Sequence, residues 1–226
     1  MPQELVQTPE LTAAVQDYAK AIYALETRDG TVSTTALAER LDVRPASVSG
    51  MLRKLAVLGL VEHEPYRGVR LTDRGRLVAL EVIRHHRLLE LFLVESLGMS
   101  WDEVHAEAEV LEHVLSEGLE ELIAAKLGDP TLDPHGDPIP SRELTIADDE
   151  SGALYDLEPG RLATFVRVSD DPEMLRFLAE RGIAPGARLE VVERQPFDGP
   201  LYVRSGDEVH VLGATLARSM RVSEDE

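Results

Sequence analysis

The sequence predicts an α+β chain of three successive parts: a small helical part closed by a β-hairpin, a part made of long helices, and a small all-β barrel. Three observations predict it. Apolar residues recur at helical spacing from Tyr18 to Leu127, interrupted after Gly59 by the two short extended runs of LVEHEPYRGVRLT. Residues 129–150 carry Pro130, Pro134, Pro138 and Pro140, which is linker composition. Beyond them, short β-type runs alternate with turn residues. A chain of 226 residues has room for one large domain or two to three small ones with cores of their own. The expected boundaries are 1–75, 76–147 and 148–226.

Taken in order, Asp17 to Glu26 places Tyr18, Ile22 and Leu25 on one face, a first helix that Asp29-Gly30 breaks. Ser33 is the N-cap expected of a short helix ending near Leu41. After a brief turn, Pro45 opens a second helix that Gly59 stops near Leu58, with Val48, Leu52 and Leu55 inward. A hairpin turning around Arg67-Gly68 follows. Long helices are expected from Asp73 to Leu97 and from Trp101 to Leu127. In the last part ATFVRVS, RLEVVERQ, LYVRSG and EVHVLG read as strands, with PEMLRFLAERG as a helical insert.

The net charge of −19 is unevenly spread. Residues 1–76 hold ten basic and ten acidic side chains, and residues 44–76 hold seven basic against three acidic. The whole deficit falls on residues 77–226, so a modest basic patch sits on an acidic body that attracts small cations. The absence of cysteine excludes disulfides, thiolate metal sites and cysteine nucleophiles. No apolar run approaches the roughly 20 residues that cross a bilayer, and the N-terminus is acidic and polar. A cytoplasmic protein with no membrane partner is the expectation.

A short helix, a tight turn, a second helix and a hairpin form a winged helix-turn-helix arrangement, the expected partner being double-stranded operator DNA. With Val48, Leu52 and Leu55 inward, Ala46, Ser47, Ser49, Gly50, Arg53 and Lys54 form the exposed face. Small residues let a helix approach base edges, with Ala46 suited to a thymine methyl and Ser47 to a hydrogen bond. Arg44, Arg53 and Lys54 suit phosphates, and Tyr66, Arg67 and Arg70 on the hairpin suit backbone or minor groove. A winged helix used for protein contacts is the competing reading, and the local positive charge favours DNA.

The segment WDEVHAEAEVLEHVLS, read as one helix, sets His105, Glu109, Glu112 and His113 at offsets 0, 4, 7 and 8. At about 100° per residue the four side chains share one narrow face. Two imidazoles and two carboxylates there form a divalent-metal surface, and the oxygen content leans toward Mn²⁺ or Fe²⁺ over Zn²⁺. Upstream, His86 and Glu90 stand at i, i+4. His85 faces about 100° away from His86, and His63, His135 and His210 have no partner at ligand spacing.

The DNA-reading unit, the pair in HRLLE, the cluster HAEAEVLEH and the C-terminal β module occur together and in order. Over nearly its whole length the chain therefore resembles the diphtheria toxin repressor family of metal-activated transcriptional repressors. The resemblance implies a winged helix-turn-helix domain, a helical dimerisation domain and an SH3-like (FeoA-like) domain. It implies two metal sites per subunit: a primary one of Asp17, Glu109, Glu112 and His113, and an ancillary one of His86, Glu90 and His105, completed by Asp170 and Glu173. It also implies a homodimer, with one dimer or two on each operator. The iron-sensing members place a methionine where this chain has Asp17 and a cysteine where it has Glu109. Both are carboxylates here, which suits Mn²⁺ and resembles the manganese-sensing branch. Lys20 stands where the short, two-domain manganese regulators carry a carboxylate, which favours two separated sites over a bridged pair.

The expected function is therefore a manganese-dependent repressor of manganese-uptake genes, in which metal binding orders a dimer for the operator. The same repressor answering to Fe²⁺ is the alternative. A metallohydrolase with an added helix-turn-helix is a second one, against which stands the lack of any nucleophile motif, phosphate-cradling loop or separate general base.

Overall fold

Eight α-helices and eight β-strands make up the described part of the chain, residues 11–64, 68–147 and 150–224 of a computed structural model. The chain divides into two units, the first ending at Arg84 and the second beginning at His85.

In the first unit, α1 (Ala13–Asp29) is longer than the apolar spacing predicted, because Val15 adds a buried position and Gly30, at φ 77°, caps the end onto the Glu26 carbonyl. Helix α2 (Thr34–Arg40) is capped by the Ser33 hydroxyl, which accepts from the Ala36 N–H, and α3 (Pro45–Val57) starts on Pro45. Strands β1 (Val61–Glu64) and β2 (Gly68–Leu71) pair antiparallel, Val61 facing Leu71. Gly68 is needed at its position: φ is 108° and a Cβ would stand 2.1 Å from the Val32 carbonyl oxygen. Val69 N–H donates to that same oxygen at 3.0 Å, which ties the wing to the segment between α1 and α2. Ile22, Leu37, Val48, Leu55, Leu60 and Val69 are the centre of this core.

Helix α4 (Asp73–Leu97) matches its predicted bounds. The single helix predicted over Trp101–Leu127 is two helices, α5 (Val104–Leu111) and α6 (Glu117–Lys126). Ser116 is extended at φ −85°, ψ 150°, and its hydroxyl accepts from Leu119 N–H, so it begins a new helix with acidic residues in the first turn. The carbonyl of Glu112, at the end of α5, accepts instead from His85 Nδ1 at 3.1 Å. Glu112 is thus the C-cap of α5 and His113 lies in the turn beyond it, off the continuous face that the offsets implied.

The linker reading of residues 129–150 is corrected over residues 131–139. That stretch closes on itself with a bridge between Leu132 and Pro138, buries Asp133, His135 and Asp137, and sends Ile139 into the core formed by α4, α5 and α6. Beyond it a six-stranded antiparallel sheet has the order β3-β8-β4-β5-β6-β7, with β3 (Gly152–Ala153), β4 (Leu162–Arg167), β5 (Arg188–Arg194), β6 (Leu201–Ser205), β7 (Glu208–Leu212) and β8 (Arg221–Glu224). The helical insert is α7 (Pro172–Ala179). The sequence does not predict helix α8 (Ala214–Ser219) or strand β8, and β8, the last strand among the described residues, sits between β3 and β4. Phe165, Leu175, Leu189, Val203 and Met220 fill the interior. Among the described residues no helix is long and apolar enough to cross a membrane.

Candidate metal centre and nucleic-acid interface

One turn of α4 supplies the pair His86 and Glu90, both buried. His86 Nε2 lies 2.9 Å from Glu90 Oε1 and 3.1 Å from His105 Nδ1, and His105 Nδ1 lies 3.2 Å from Glu90 Oε1. Asp170, in the turn before α7, brings a fourth donor, and one donor atom from each of His86, Glu90, His105 and Asp170 falls within 4.8 Å of the others. Burial would raise the Glu90 carboxyl, but hydrogen bonds from His105 and His86 outweigh it and hold it well below the usual carboxylate range.

On its other edge His86 Nδ1 is 2.5 Å from Glu112 Oε2 and 3.9 Å from Glu109 Oε1. Glu112 is buried, and its Oε1 stands 3.6 Å from His113 Nε2. Its backbone is held by His85, whose Nε2 in turn meets Glu120 Oε2 at 3.0 Å, so His85 fixes the break between α5 and α6 and donates no atom to the ligand face. His86, Glu109 and Glu112 thus form a second acidic and imidazole-bearing group beside the first, and Glu112 in turn reaches His113. Asp17 is half-buried on α1 in the first unit.

Two side chains of this pocket lie outside the set that the sequence predicts. His135 is fully buried; its Nε2–H donates to the Trp101 carbonyl at 2.7 Å, and its Nδ1 faces Asp170 Oδ1 at 2.8 Å and Glu90 Oε2 at 3.7 Å. Asp133 adds a carboxylate to the same pocket. Among the described residues Glu90 Oε2, Asp133 Oδ2, His135 Nδ1 and Asp170 Oδ1 are buried and lack a hydrogen bond of good geometry, with ion-pair contacts at 2.8 Å between Asp170 Oδ1 and His135 Nδ1 and at 3.6 Å between Asp133 Oδ2 and Arg87 Nε. Polar atoms in that state are costly, and a cation within reach of Glu90, Asp133 and His135 would offset that cost. Burial would lower the His135 imidazole, but Asp170 and then Glu90 outweigh it and raise it to about 10. Burial, reinforced by the charges of Asp137, Asp170 and Glu90, pushes the Asp133 carboxyl well above its ordinary value. The statement that His135 lacks a partner at ligand spacing is therefore corrected: its partners come from α4 and from the turn before α7, which helical spacing does not reveal. The alternation Asp133-x-His135-x-Asp137 was the available signal. Glu173 is not brought to the pocket. It is exposed in the first turn of α7, where the Asp171 side chain accepts its N–H.

The donor set fits a hard divalent cation: carboxylates and imidazoles, with no sulfur among them.

On α3, Arg44, Ala46, Ser47, Ser49, Gly50, Arg53 and Lys54 are all exposed, while Val48, Leu52 and Leu55 are buried. Ser49 Oγ donates to the Pro45 carbonyl and Arg53 Nε to the Ser49 carbonyl, both at 3.1 Å, which lays the Arg53 side chain along the helix. Tyr66 and Arg67 lie outside the described residues. Arg70 is exposed on β2, its Nε 3.7 Å from Glu26 Oε1.

Three family descriptions match successive parts of the chain: an iron dependent repressor N-terminal DNA binding domain over residues 10–69, an iron dependent repressor metal binding and dimerisation domain over residues 72–141, and a FeoA domain over residues 153–224. The iron-dependent repressor IdeR of Mycobacterium tuberculosis is 35% identical over 97% of this chain and 98% of its own length. The diphtheria toxin repressor of Corynebacterium efficiens is 31% identical over 97% of this chain and 96% of its own. Among solved structures, a manganese-dependent transcriptional repressor in complex with manganese is similar, with 44% identity, a TM-score of 0.87, and coverage of 93% of this chain and 100% of that one.

Proposed function

The chain belongs to the diphtheria toxin repressor family of metal-dependent transcriptional repressors, and we propose that its co-repressor is Mn²⁺, held at two sites per subunit. Its relatives are repressors and not enzymes, so the metallohydrolase alternative is set aside. The observation that carries the choice of metal is that Asp17 and Glu109 are carboxylates where the iron-sensing members place a methionine and a cysteine.

In this reading Glu109, Glu112 and His113 form the primary site, joined by Asp17, which is assigned from the family resemblance. His86, Glu90, His105 and Asp170 form the second, with His135 and Asp133 as adjoining donors. A bound cation supplies positive charge that offsets repulsion among these carboxylates. His86 and Glu90 are fixed on one helical turn, Asp170 reaches in from the turn before α7, and Asp17 carries the effect to α1. Ala46 and Ser47 then meet base edges while Arg44, Arg53 and Lys54 meet phosphates. Val110, Val114, Leu119 and Leu122 on and between α5 and α6 are exposed apolar residues, and they support a homodimer built on this face. Its two recognition helices would read half-sites about one helical turn, roughly 34 Å, apart. Regulation of manganese uptake, in the cytoplasm, is the physiological role that fits.

A second reading has a specific observation behind it, the 35% identity to an iron-dependent repressor. Fluorescence anisotropy of operator-type DNA, titrated anaerobically with Mn²⁺ and with Fe²⁺, separates the two. The expected result is Mn²⁺-dependent binding with Fe²⁺ weaker, and a preference that erodes in Glu109→Cys. Equal or better activation by Fe²⁺ assigns the protein to iron, and binding without metal overturns the co-repressor reading.

A further inference from the structure

Asp170 enters the pocket of Glu90 and His135 from the turn that follows β4, three residues beyond its end. Residues 133–137 form a closed loop in which Asp133 Oδ1 accepts the N–H groups of His135 and Asp137, each at 2.9 Å. Three contacts press β4 onto this loop. Val168 N–H donates to the His135 carbonyl at 3.2 Å. Gly136 lies so close to β4 that a Cβ would stand 1.8 Å from the Val166 carbonyl oxygen. Arg167 Nη1 donates to Asp137 Oδ1 at 2.7 Å. Arg87 of α4 donates to the Pro138 carbonyl at 2.5 Å and places its Nη2 3.6 Å from the same Asp137 Oδ1. The loop is thus held by a guanidinium from the helices and a guanidinium from the barrel.

We propose that Arg167 is a positioning residue for the second metal site: its pairing with Asp137 clamps the end of β4 so that Asp170, three residues on, stands opposite His135. Arginine has no lone pair to offer a cation, so Arg167 acts through Asp170 and is not itself a ligand. The pair is charge-assisted and largely shielded, with side-chain exposures of 31% and 12%, which makes it worth more than a surface ion pair. The inference rests on the reading of this pocket as a cation site.

Trp101 reports on the pocket directly. It is the chain's one tryptophan, its carbonyl accepts from His135, and its ring centroid lies 5.6 Å from that of His135. Full-length protein is titrated with Mn²⁺, following Trp101 emission together with free Mn²⁺ by electron paramagnetic resonance. Wild type is expected to bind two ions per chain, one of them quenching Trp101, and Asp170→Asn to lose the quenching phase. Arg167→Ala is expected to weaken the quenching phase about tenfold and leave the other ion unchanged, with Arg167→Lys recovering most of the loss. Asp137→Asn, which keeps the backbone bonds of the loop, is expected to behave like Arg167→Ala and decides the matter if that variant does not fold. A quenching phase at wild-type strength in Arg167→Ala, or in Asp137→Asn where Arg167→Ala does not fold, overturns the proposal. So does equal weakening in the Ala and Lys variants. A wild type with no quenching phase, or an Asp170→Asn that retains it, overturns the reading of the pocket beneath it.

Discussion

At His135, one hydrogen bond selects the atom that faces the pocket. Donation from Nε2 to the Trp101 carbonyl leaves Nδ1 toward Glu90 and Asp170, the arrangement in which a backbone carbonyl orients a metal-binding imidazole. Without metal the imidazole is raised to about 10 by those carboxylates, against an ordinary value of 6.5. A raised basic group stabilises the fold fully below its unfolded value and loses that contribution as pH climbs through the folded one. The metal-free protein should therefore melt at progressively lower temperature from about pH 6.5 to about pH 10, and His135→Gln should flatten the profile. A ligating Nδ1 carries no proton, so Mn²⁺ uptake at this pocket should release one and strengthen with pH, which calorimetry in buffers of different ionisation enthalpy measures. At this scale the sequence was partly legible. His86 and Glu90 were found because i, i+4 spacing forces proximity, whereas His135 and Asp133 meet them through contacts more than forty residues away.

Among the elements, α3 was read almost residue for residue, since its buried stripe defines its exposed one. Arg53→Ala should weaken binding about equally on all sequences and reduce the salt slope of operator affinity by about 1. The long helix predicted through residues 112–116 failed for a local reason: Ser116 favours an extended cap, and the carbonyl left at Glu112 finds an acceptable donor in His85. Ser116→Ala removes the cap and should cost about 1 kcal/mol in urea unfolding, with loss of helical signal. Because the break fixes where Glu112 sits, the same variant should also weaken the primary metal site. The folded loop at 131–139 was hidden by its prolines, which signal a turn without saying whether the turn packs.

For the molecule as a whole, charge segregation and the change of periodicity after the proline-rich stretch were enough to read a DNA-binding part, a helical part and a β part. The proposed homodimer is argued at the same scale, from the apolar residues left outside. Val114 is 76% exposed and Leu122 68%. Leu122→Glu places an unpaired charge in the expected dimer face, which should cost roughly 3–5 kcal/mol of association and convert the dimer to monomer by analytical ultracentrifugation. Operator binding should fall with it, while each monomer keeps its second metal pocket.

The position of β8 between β3 and β4 also sets an order of assembly. In the first unit the hairpin partners Val61 and Leu71 are ten residues apart, so that pairing can form as the chain leaves the ribosome. The barrel pairs Gly152 with Val222 and Ala163 with Glu224, and its middle cannot close until those last strand residues have emerged. A nascent chain would therefore hold a folded DNA-reading unit before β4 has both neighbours, and before Asp170 has a firm seat. The second metal pocket is the part completed last.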